Sequence, residues 1–584
     1  MPNPARKLIL GRMPINSLPE LCIPAGAWCF AGREDFFPHW QQRFTFAPEP
    51  LWDTPELEHA ARAAQALAAN TLPVLADIIH RGDEPDASRL HAGASLRPAP
   101  LPPAYWELLL GPWAIAAAQV IIDRWRRVQA MLAIWGQEPF TVELLPQDCV
   151  FAFGTEEDFL KHGALGHSFN HWLFSRLLDA VWPAAWTKVM LPARRRTYWE
   201  RHEQNKKPTW ADRRRALLLR LPFSCIRGAT LGQTLRLSLS LLAPAHGPDR
   251  SRPLSSFSTA ASGVATGLPC PALPLMLSAL PLSLQEMSHP EEIPRVRHPR
   301  CRVIHMRTYD DAAYRQRVAI WRASGHRLVV VQQDGHEGHA RVSCAAPFLA
   351  YTQHACTTWG WTRHSGYAGN FVPLPSFQLS AVHNAWRGGG EHWLFTSKGM
   401  PALACQMDSL PTPLQWEAYR RLKSLFFTAL PQAMQSACRY YPHAPRPTLL
   451  DDAAWVLQRF PHAHLGAADF VPQLLRCRLM VSDHYGRALA MAMAANVPTI
   501  MYWNRDAWPL SDDSDDALRM LEAAGIWFAH PEAAARQLAQ VWDNPAQWWQ
   551  SPERQQARAA WCARFALSVE TGITAAWRTA LRHL

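Results

Sequence analysis

The sequence predicts an α/β protein built on parallel, doubly wound sheet, and three observations carry that prediction. From residue 299 onward, short apolar strands alternate with helical stretches, as when crossover helices bury both faces of a sheet. Polar, glycine-bearing loops follow the most apolar strands, at the carboxyl edge where such sheets take ligands. The chain has 584 residues, too many for one core, and its 48% apolar and 18% charged residues indicate two or more globular domains.

In chain order, Lys7 to Leu10 reads as an opening strand. Residues 108–122 are uncharged, but the run is too short to span a bilayer and Pro112 is expected to interrupt it. Ile121, Trp125, Val128 and Leu132 fall at 4-3-4 spacing, predicting a helix that turns Asp123, Arg126 and Arg127 away from the core. A second helix, around 170–182, places Leu173, Leu177 and Leu178 on one side. The Pro/Ser-rich stretch 246–298 divides the chain; its residues 253–285 hold five prolines and no charge, which predicts a linker or mobile lid. It separates an N-terminal unit, 1–245, from a C-terminal unit, 299–545, with a helical extension over 546–584. In the C-terminal unit, strands at 302–306, 327–331, 393–397, 478–482, 498–503 and 525–528 alternate with helices, including 310–323, 413–437, 515–524 and one opened by Pro531.

Two loops carry the chemistry. Ser482, Asp483, His484, Tyr485, Gly486 and Arg487 lie between a strand and a helix-prone run that ends at Asn496. A helix start has free N–H groups and a partial positive charge, which suit a phosphate. Ser482 or Asp483 is placed to cap the helix, Gly486 to let an anion approach the backbone, and Arg487 to add a charge-assisted contact. Asn496 suits a left-handed helix end. An ordinary capped helix accounts for the same residues. The loop 332–339, "QQDGHEGH", repeats the situation with Gln333, Asp334, Gly335 and Gly338. His336, Glu337 and His339 are metal-ligand types, but their spacing matches no metalloprotease pattern, and a binding loop or a polar turn fits better. In "TTWGW" (357–361), Trp359 reads as a stacking wall for a base or sugar, or as core. "SDDSDD" (511–516) reads as a helix start rather than a cation site.

Other classes find no support. The chain has no Walker loop, G-x-S-x-G elbow, kinase set, G-x-G-x-x-G fingerprint or known nucleic-acid module. Twelve cysteines form no C-x-x-C pair or zinc spacing, which fits reduced thiols in cytoplasm, and the N-terminus has no apolar signal core. Formal charge is +11, and Arg194 to Arg220 has ten basic residues against three acids, a local net of +7. That stretch is either a solvated face or a contact for phosphates.

The run "RLMVSDHYGRALAMAMAANVPTIMYWN", with "LEAAGIWFAHPEAAA" and "VWDNPAQWWQSPERQQAR" after it, resembles transferases encoded in bacterial O-antigen and surface-carbohydrate gene clusters. "GHRLVVVQQDGHEGH" followed by "TWGW" is similar to that family's second signature, and "YWELLLGPWAIAAAQVIIDRW" and "FNHWLFSRLL" to its N-terminal half. The resemblance covers most of the chain, with a gap at the Pro-rich stretch. It implies a glycosyltransferase-B-like architecture: two Rossmann-like doubly wound domains facing a cleft, with a C-terminal helix crossing back after Pro552. It also implies a nucleotide-sugar donor held mainly by the second domain, a glycan or lipid-linked acceptor, and no bound metal or other cofactor. Helix N-termini and basic side chains then neutralise the phosphates. The chain departs from the family twice. Q-H-G-G becomes Gln332, Gln333, Asp334 and Gly335, and a glutamate becomes Met491, which accepts no hydroxyl hydrogen bond of the carboxylate kind.

The resulting expectation is a cytoplasmic glycosyltransferase-like protein of surface-polysaccharide synthesis, with peripheral contact at the inner membrane left open. Residues 333–338, Trp359 and 482–487 would hold the donor. His171 or Asp179, on "FNHWLFSRLLDA", would supply a general base, and His336 a phosphate or base contact. Arg194, Arg195, Arg196, Arg213, Arg214 and Arg215 would hold a lipid pyrophosphate. Two other classes stay open. One is a binding protein without turnover, favoured by Gln333 and Met491. The other is a nucleic-acid binder using the basic stretch with Tyr198, Trp199 and Trp210.

Overall fold

The computed structural model describes residues 6–8, 10, 21–23, 44–46, 54–81, 101–198, 221–223, 226–260, 267–305, 312–399, 406–407, 415–442, 452–466 and 469–584. Arg213, Arg214, Arg215, Trp199 and Trp210 lie outside these residues. The fold is α/β with parallel sheets.

The N-terminal part contributes β1 (Arg6–Leu8), β2 (Leu21–Ile23), β3 (Phe44–Phe46), β4 (Phe140–Leu144) and β6 (Trp186–Met190), all parallel, in the order β3-β2-β1-β4-β6. A separate pair joins β5 (Val150–Phe153) to β7 (Arg195–Tyr198). Three long helices accompany them: α1 (Thr54–Arg81), α2 (Pro103–Trp135) and α3 (His167–Asp179). Alanines 60, 63, 64 and 68 let α1 lie close to α2.

Two expectations for α2 are corrected. Pro112 does not interrupt it: α2 continues for 33 residues. Proline deletes one helical hydrogen bond, but the residues around it, Leu109, Leu110, Trp113 and Ile115, are buried, and that burial outweighs the loss. The helix is long and apolar enough to cross a membrane, yet its apolar window is 89% buried by the rest of the molecule, which makes it a core helix. Of the charged residues, Asp123 and Arg127 do not turn away either, while Arg126 keeps part of its surface. Asp123, Arg124 and Arg127 are buried, with Arg127 donating to both Asp123 oxygens at 2.8 and 2.9 Å and Arg124 Nε donating to Asn170 Oδ1 at 2.6 Å. Burial pulls the Asp123 carboxyl upward, but the two guanidiniums more than offset it and hold the group below its usual range.

Two further parallel sheets follow α4 (Leu231–Ser240). The first has β8 (Cys301–His305), β9 (Arg327–Val331), β10 (Ala355–Thr358) and β11 (Phe371–Pro373) in simple order, with α5 (Ala312–Ala323) between β8 and β9. The second has β12 (Trp393–Thr396), β13 (Cys438–Tyr441), β14 (His464–Leu465), β15 (Leu479–Ser482), β16 (Thr499–Tyr502) and β17 (Trp527–Phe528), in the order β14-β13-β12-β15-β16-β17. Counted within the sheet, that order is 3-2-1-4-5-6, with a switch point between β12 and β15.

Strand alternation buries both faces. Leu479 and Val481 enter one core while Met480 enters another; Trp393 and Phe395 divide from Leu394 in the same way. In the smaller sheet, Val329 and Val331 divide from Leu328 and Val330. Helices α6 (Trp416–Thr428), α7 (Asp452–Arg459), α8 (Arg487–Ala495), α9 (Asp512–Ala523) and α10 (Pro531–Val541) accompany the six strands. The helix expected over 413–437 ends at Thr428, and Pro431 caps a separate short one, because proline cannot continue a helical ladder. Helix α11 (Pro552–Phe565) packs on α8 and α9, and α12 (Ile573–Arg582) packs beside α4 on the four-stranded sheet. The Pro/Ser-rich stretch, where described, buries Leu275, Met276, Leu280 and Leu284, and the Trp113 indole donates to the Ala279 carbonyl at 3.0 Å.

Candidate functional site

The carboxyl ends of β9 and β15 belong to different sheets, and their loops meet. A Cβ on Gly335 would stand 2.5 Å from the Gly486 carbonyl carbon, so the backbones touch and only glycine fits at 335. The His336 ring meets Tyr485 edge-on at 5.5 Å, and the His339 ring stacks on Tyr485 at 5.2 Å.

Gln332 shapes the first loop. Its buried amide oxygen accepts from Trp359 N at 2.7 Å and from Trp361 Nε1 at 3.0 Å, and its amide nitrogen donates to the Asp334 carbonyl at 2.8 Å. Gly338 has φ +85°, a left-handed conformation that an L side chain adopts only with strain, and Trp361 fills the space beside it. Trp359 itself is in the core rather than on an open wall. His339 is also buried, hydrogen-bonded to Ser514 Oγ at 2.6 Å and stacked on Phe565; burial brings its pKa down to about 3 and keeps the ring neutral. His336 remains accessible, with Nδ1 3.3 Å from Asp334 Oδ1. Glu337 keeps part of its surface, but its carboxyl is enclosed. That enclosure, with the charge of Asp334 beside it, pushes the pKa up to about 8 against two backbone hydrogen bonds from Gln333 and Asp334.

The second loop sits at the switch point of the six-stranded sheet. Ser482 or Asp483 is expected from the sequence to cap α8, and neither does; Gly486 is the N-cap and no side chain caps there. Four residues separate the strand end from the helix start, which frees both side chains for the switch point. Ser482 Oγ accepts from Thr396 Oγ1 at 3.0 Å and donates to the His484 carbonyl at 2.8 Å. Asp483 Oδ2 accepts from Ser397 Oγ at 3.2 Å, and Asp483 Oδ1 pairs with His484 Nδ1 at 3.0 Å. Burial lowers the His484 pKa, with Asp483 opposing, so the neutral ring donates Nδ1–H to Asp483 and keeps a lone pair on Nε2. That nitrogen lies 3.5 Å from where a Gly486 Cβ would stand, on the side of His336. Asn496 ends α8 at φ +62°, in the left-handed conformation expected of it.

Beneath this pair lies a network that sequence reading missed. Lys423 is fully buried; its ammonium donates to Asp452, to Ser397 Oγ at 2.7 Å and to Tyr440 at 3.0 Å, and lies 3.8 Å from Asp483. Burial pulls the Asp452 carboxyl up, but Lys423 and Arg420 hold it below its usual range. Tyr419 closes the network on Ser397 at 2.9 Å. The signal was present in α6: Tyr419, Lys423 and Phe427 share one face at four-residue spacing, which sets a lysine among core aromatics.

Arg487 opens α8 half-buried, and burial lowers its pKa. Among the described residues it makes no hydrogen bond or ion pair. An uncapped helix start beside a guanidinium that pairs with nothing described is chemically suited to an anion. The acids of 511–516 are engaged otherwise: Asp513 takes a bidentate contact from Arg363 at 2.7 and 2.8 Å, and Asp512 pairs with Arg341 at 2.9 Å. Among the described residues no three His, Cys, Asp or Glu side chains gather as metal ligands.

The N-terminal candidates lie elsewhere. His171 is buried on α3 with Nε2 on the Glu143 carbonyl at 2.9 Å; burial lowers its pKa, and the charge of Arg194 adds to this. Asp179 ends α3 in an ion pair with Lys188. Arg195 and Arg196 are exposed on β7. Met491 is buried in α8.

One family profile, described as LIC12162 family transferase, matches residues 6–581. No curated protein matches the chain.

Proposed function

The chain belongs to the LIC12162 family of transferases, and from that premise we propose that it is a glycosyltransferase of surface-polysaccharide (O-antigen) assembly. It moves a sugar from a nucleotide donor to a hydroxyl of a glycan or lipid-linked acceptor. The two facing sheets act as the halves of a glycosyltransferase-B-like cleft. The observation that carries this reading is Arg487, an unpaired guanidinium at an uncapped helix start, at the switch point of a 3-2-1-4-5-6 sheet. That arrangement suits the diphosphate of a nucleotide sugar.

In this reading the diphosphate lies on the α8 N–H groups and Arg487, with His336 beside it. The acceptor oxygen forms a bond to the anomeric carbon. The bond from that carbon to the phosphate oxygen breaks, and the nucleotide leaves with the electron pair. The hydroxyl proton passes to His484 Nε2, held in position by Asp483. His171, whose Nε2 already serves the Glu143 carbonyl, is left as a core residue of α3.

Water can replace the acceptor, so the test is slow release of free nucleotide from UDP-, GDP-, dTDP- or CMP-sugars. One donor class is expected to be hydrolysed, and His484→Gln to slow it roughly a hundredfold or more. Equal turnover in the variant removes His484 from the chemistry. No release from any of the four donor classes counts against glycosyl transfer itself.

A further inference from the structure

Helix α4 has leucine on two faces. Leu237 and Leu241, with Thr234 and Ser238, are buried against β8, β9 and α12. Leu231, Leu235 and Leu239 follow one another at four-residue steps on an adjacent face, with Leu242 just past the cap, and they are 46%, 45%, 67% and 48% exposed. A surface helix ordinarily turns polar residues outward, and a contiguous exposed apolar stripe marks a contact surface.

The charge around the stripe says what covers it. Across residues 226–248 the chain has two arginines and no carboxylate. Both arginines are exposed: Arg227 stands before the helix and Arg236 within it. Leucines flanked by arginines with no acid nearby match an anionic lipid surface, where apolar side chains enter the acyl boundary and guanidiniums meet phosphates. Nucleic acid would meet the arginines but leave the leucines in water.

We propose that α4 is a membrane-docking helix that seats the protein on an anionic bilayer through Leu231, Leu235, Leu239 and Leu242. This rests on the exposed leucines of α4 and the charge beside them. It accounts for how a soluble α/β body would meet a lipid-linked acceptor.

The test is flotation of the full chain with phosphatidylcholine vesicles, with and without phosphatidylglycerol. Binding is expected only to the anionic vesicles and to weaken with salt. The double variant Leu235→Asn/Leu239→Asn should lose roughly tenfold in partitioning per leucine, and Arg227→Gln and Arg236→Gln roughly fivefold each. Thermal melts of the variants check that the fold is kept. Three results would overturn the proposal: no binding to either vesicle, a leucine variant that melts early without a change in binding, or a concentration-dependent dimer of the wild type that the leucine variant abolishes. The last would assign the stripe to a second copy of the chain.

Discussion

Glu337 holds its proton in the folded protein up to about pH 8, whereas an ordinary carboxyl releases it near 4.5. The folded state therefore binds more protons than the unfolded chain between those values. Stability is highest below pH 4.5, falls as pH rises toward 8, and changes no further above it on this account. Glu337→Gln removes that dependence. Urea unfolding at pH 5 and pH 8.5 should show the variant gaining on the wild type at the higher pH, by on the order of a few kcal/mol. The same difference at both pH values would show that the carboxyl ionises normally. Neighbouring residues show how much the sequence revealed at this scale. The 332–339 and 482–487 loops stood out because glycine and polar residues interrupted apolar strands. Lys423, Asp452, Ser397 and Tyr440 did not, because they meet only when four segments fold together. Spacing on α6 sets Lys423 on the apolar face with Tyr419 and Phe427, but no spacing names its partners Asp452, Ser397 and Tyr440.

Strands and their loops were the most legible elements. The six C-terminal strands read from apolar runs lie within two residues of β8, β9, β12, β15, β16 and β17 at either end. The missed strands, β2 to β7, β10, β11, β13 and β14, are two to five residues long, and short runs carry little periodicity. Helix α1 escaped because alanine, its main packing residue, produces no strong apolar contrast. The cap of α8 was misplaced because a serine and an aspartate beside a helix look like caps whether they bond the helix or the neighbouring strand. The loops of the two sheets come closest at Gly335 and Gly486. Gly335→Val places a branched side chain against the Gly486 backbone and should push the loops apart. Nucleotide-sugar binding is then expected to fall at least tenfold with little change in the melting temperature. Unchanged affinity would mean that the ligand does not bridge these loops.

At the scale of the molecule, three parallel sheets share cores through helices that run between them. Helix α11 supplies Phe565 and Trp561 to the His339 stack beside the site, and its Arg558 donates to the Met493 carbonyl at 2.7 Å. Helix α12 then reaches the four-stranded sheet, where Trp577 packs against Phe223 and Phe377 and the Leu584 carbonyl accepts from Arg327 at 3.1 Å. The last two helices thus fasten the sheets whose loops meet at Gly335 and Gly486. This was beyond sequence reading, since each helix shows its own apolar face but not its partner.

The measurement that tests the central claim most directly is a thermal-shift titration of the full chain with CMP-, UDP-, GDP- and dTDP-sugars, alongside Arg487→Gln. A ligand that binds only the folded state stabilises it by roughly 2.7 kcal/mol at a hundredfold excess over Kd. The account predicts that one nucleotide class raises the melting temperature of the wild type and that Arg487→Gln loses most of the shift. No shift with any donor from a cooperatively folded sample, or a shift that survives in Arg487→Gln, would contradict it.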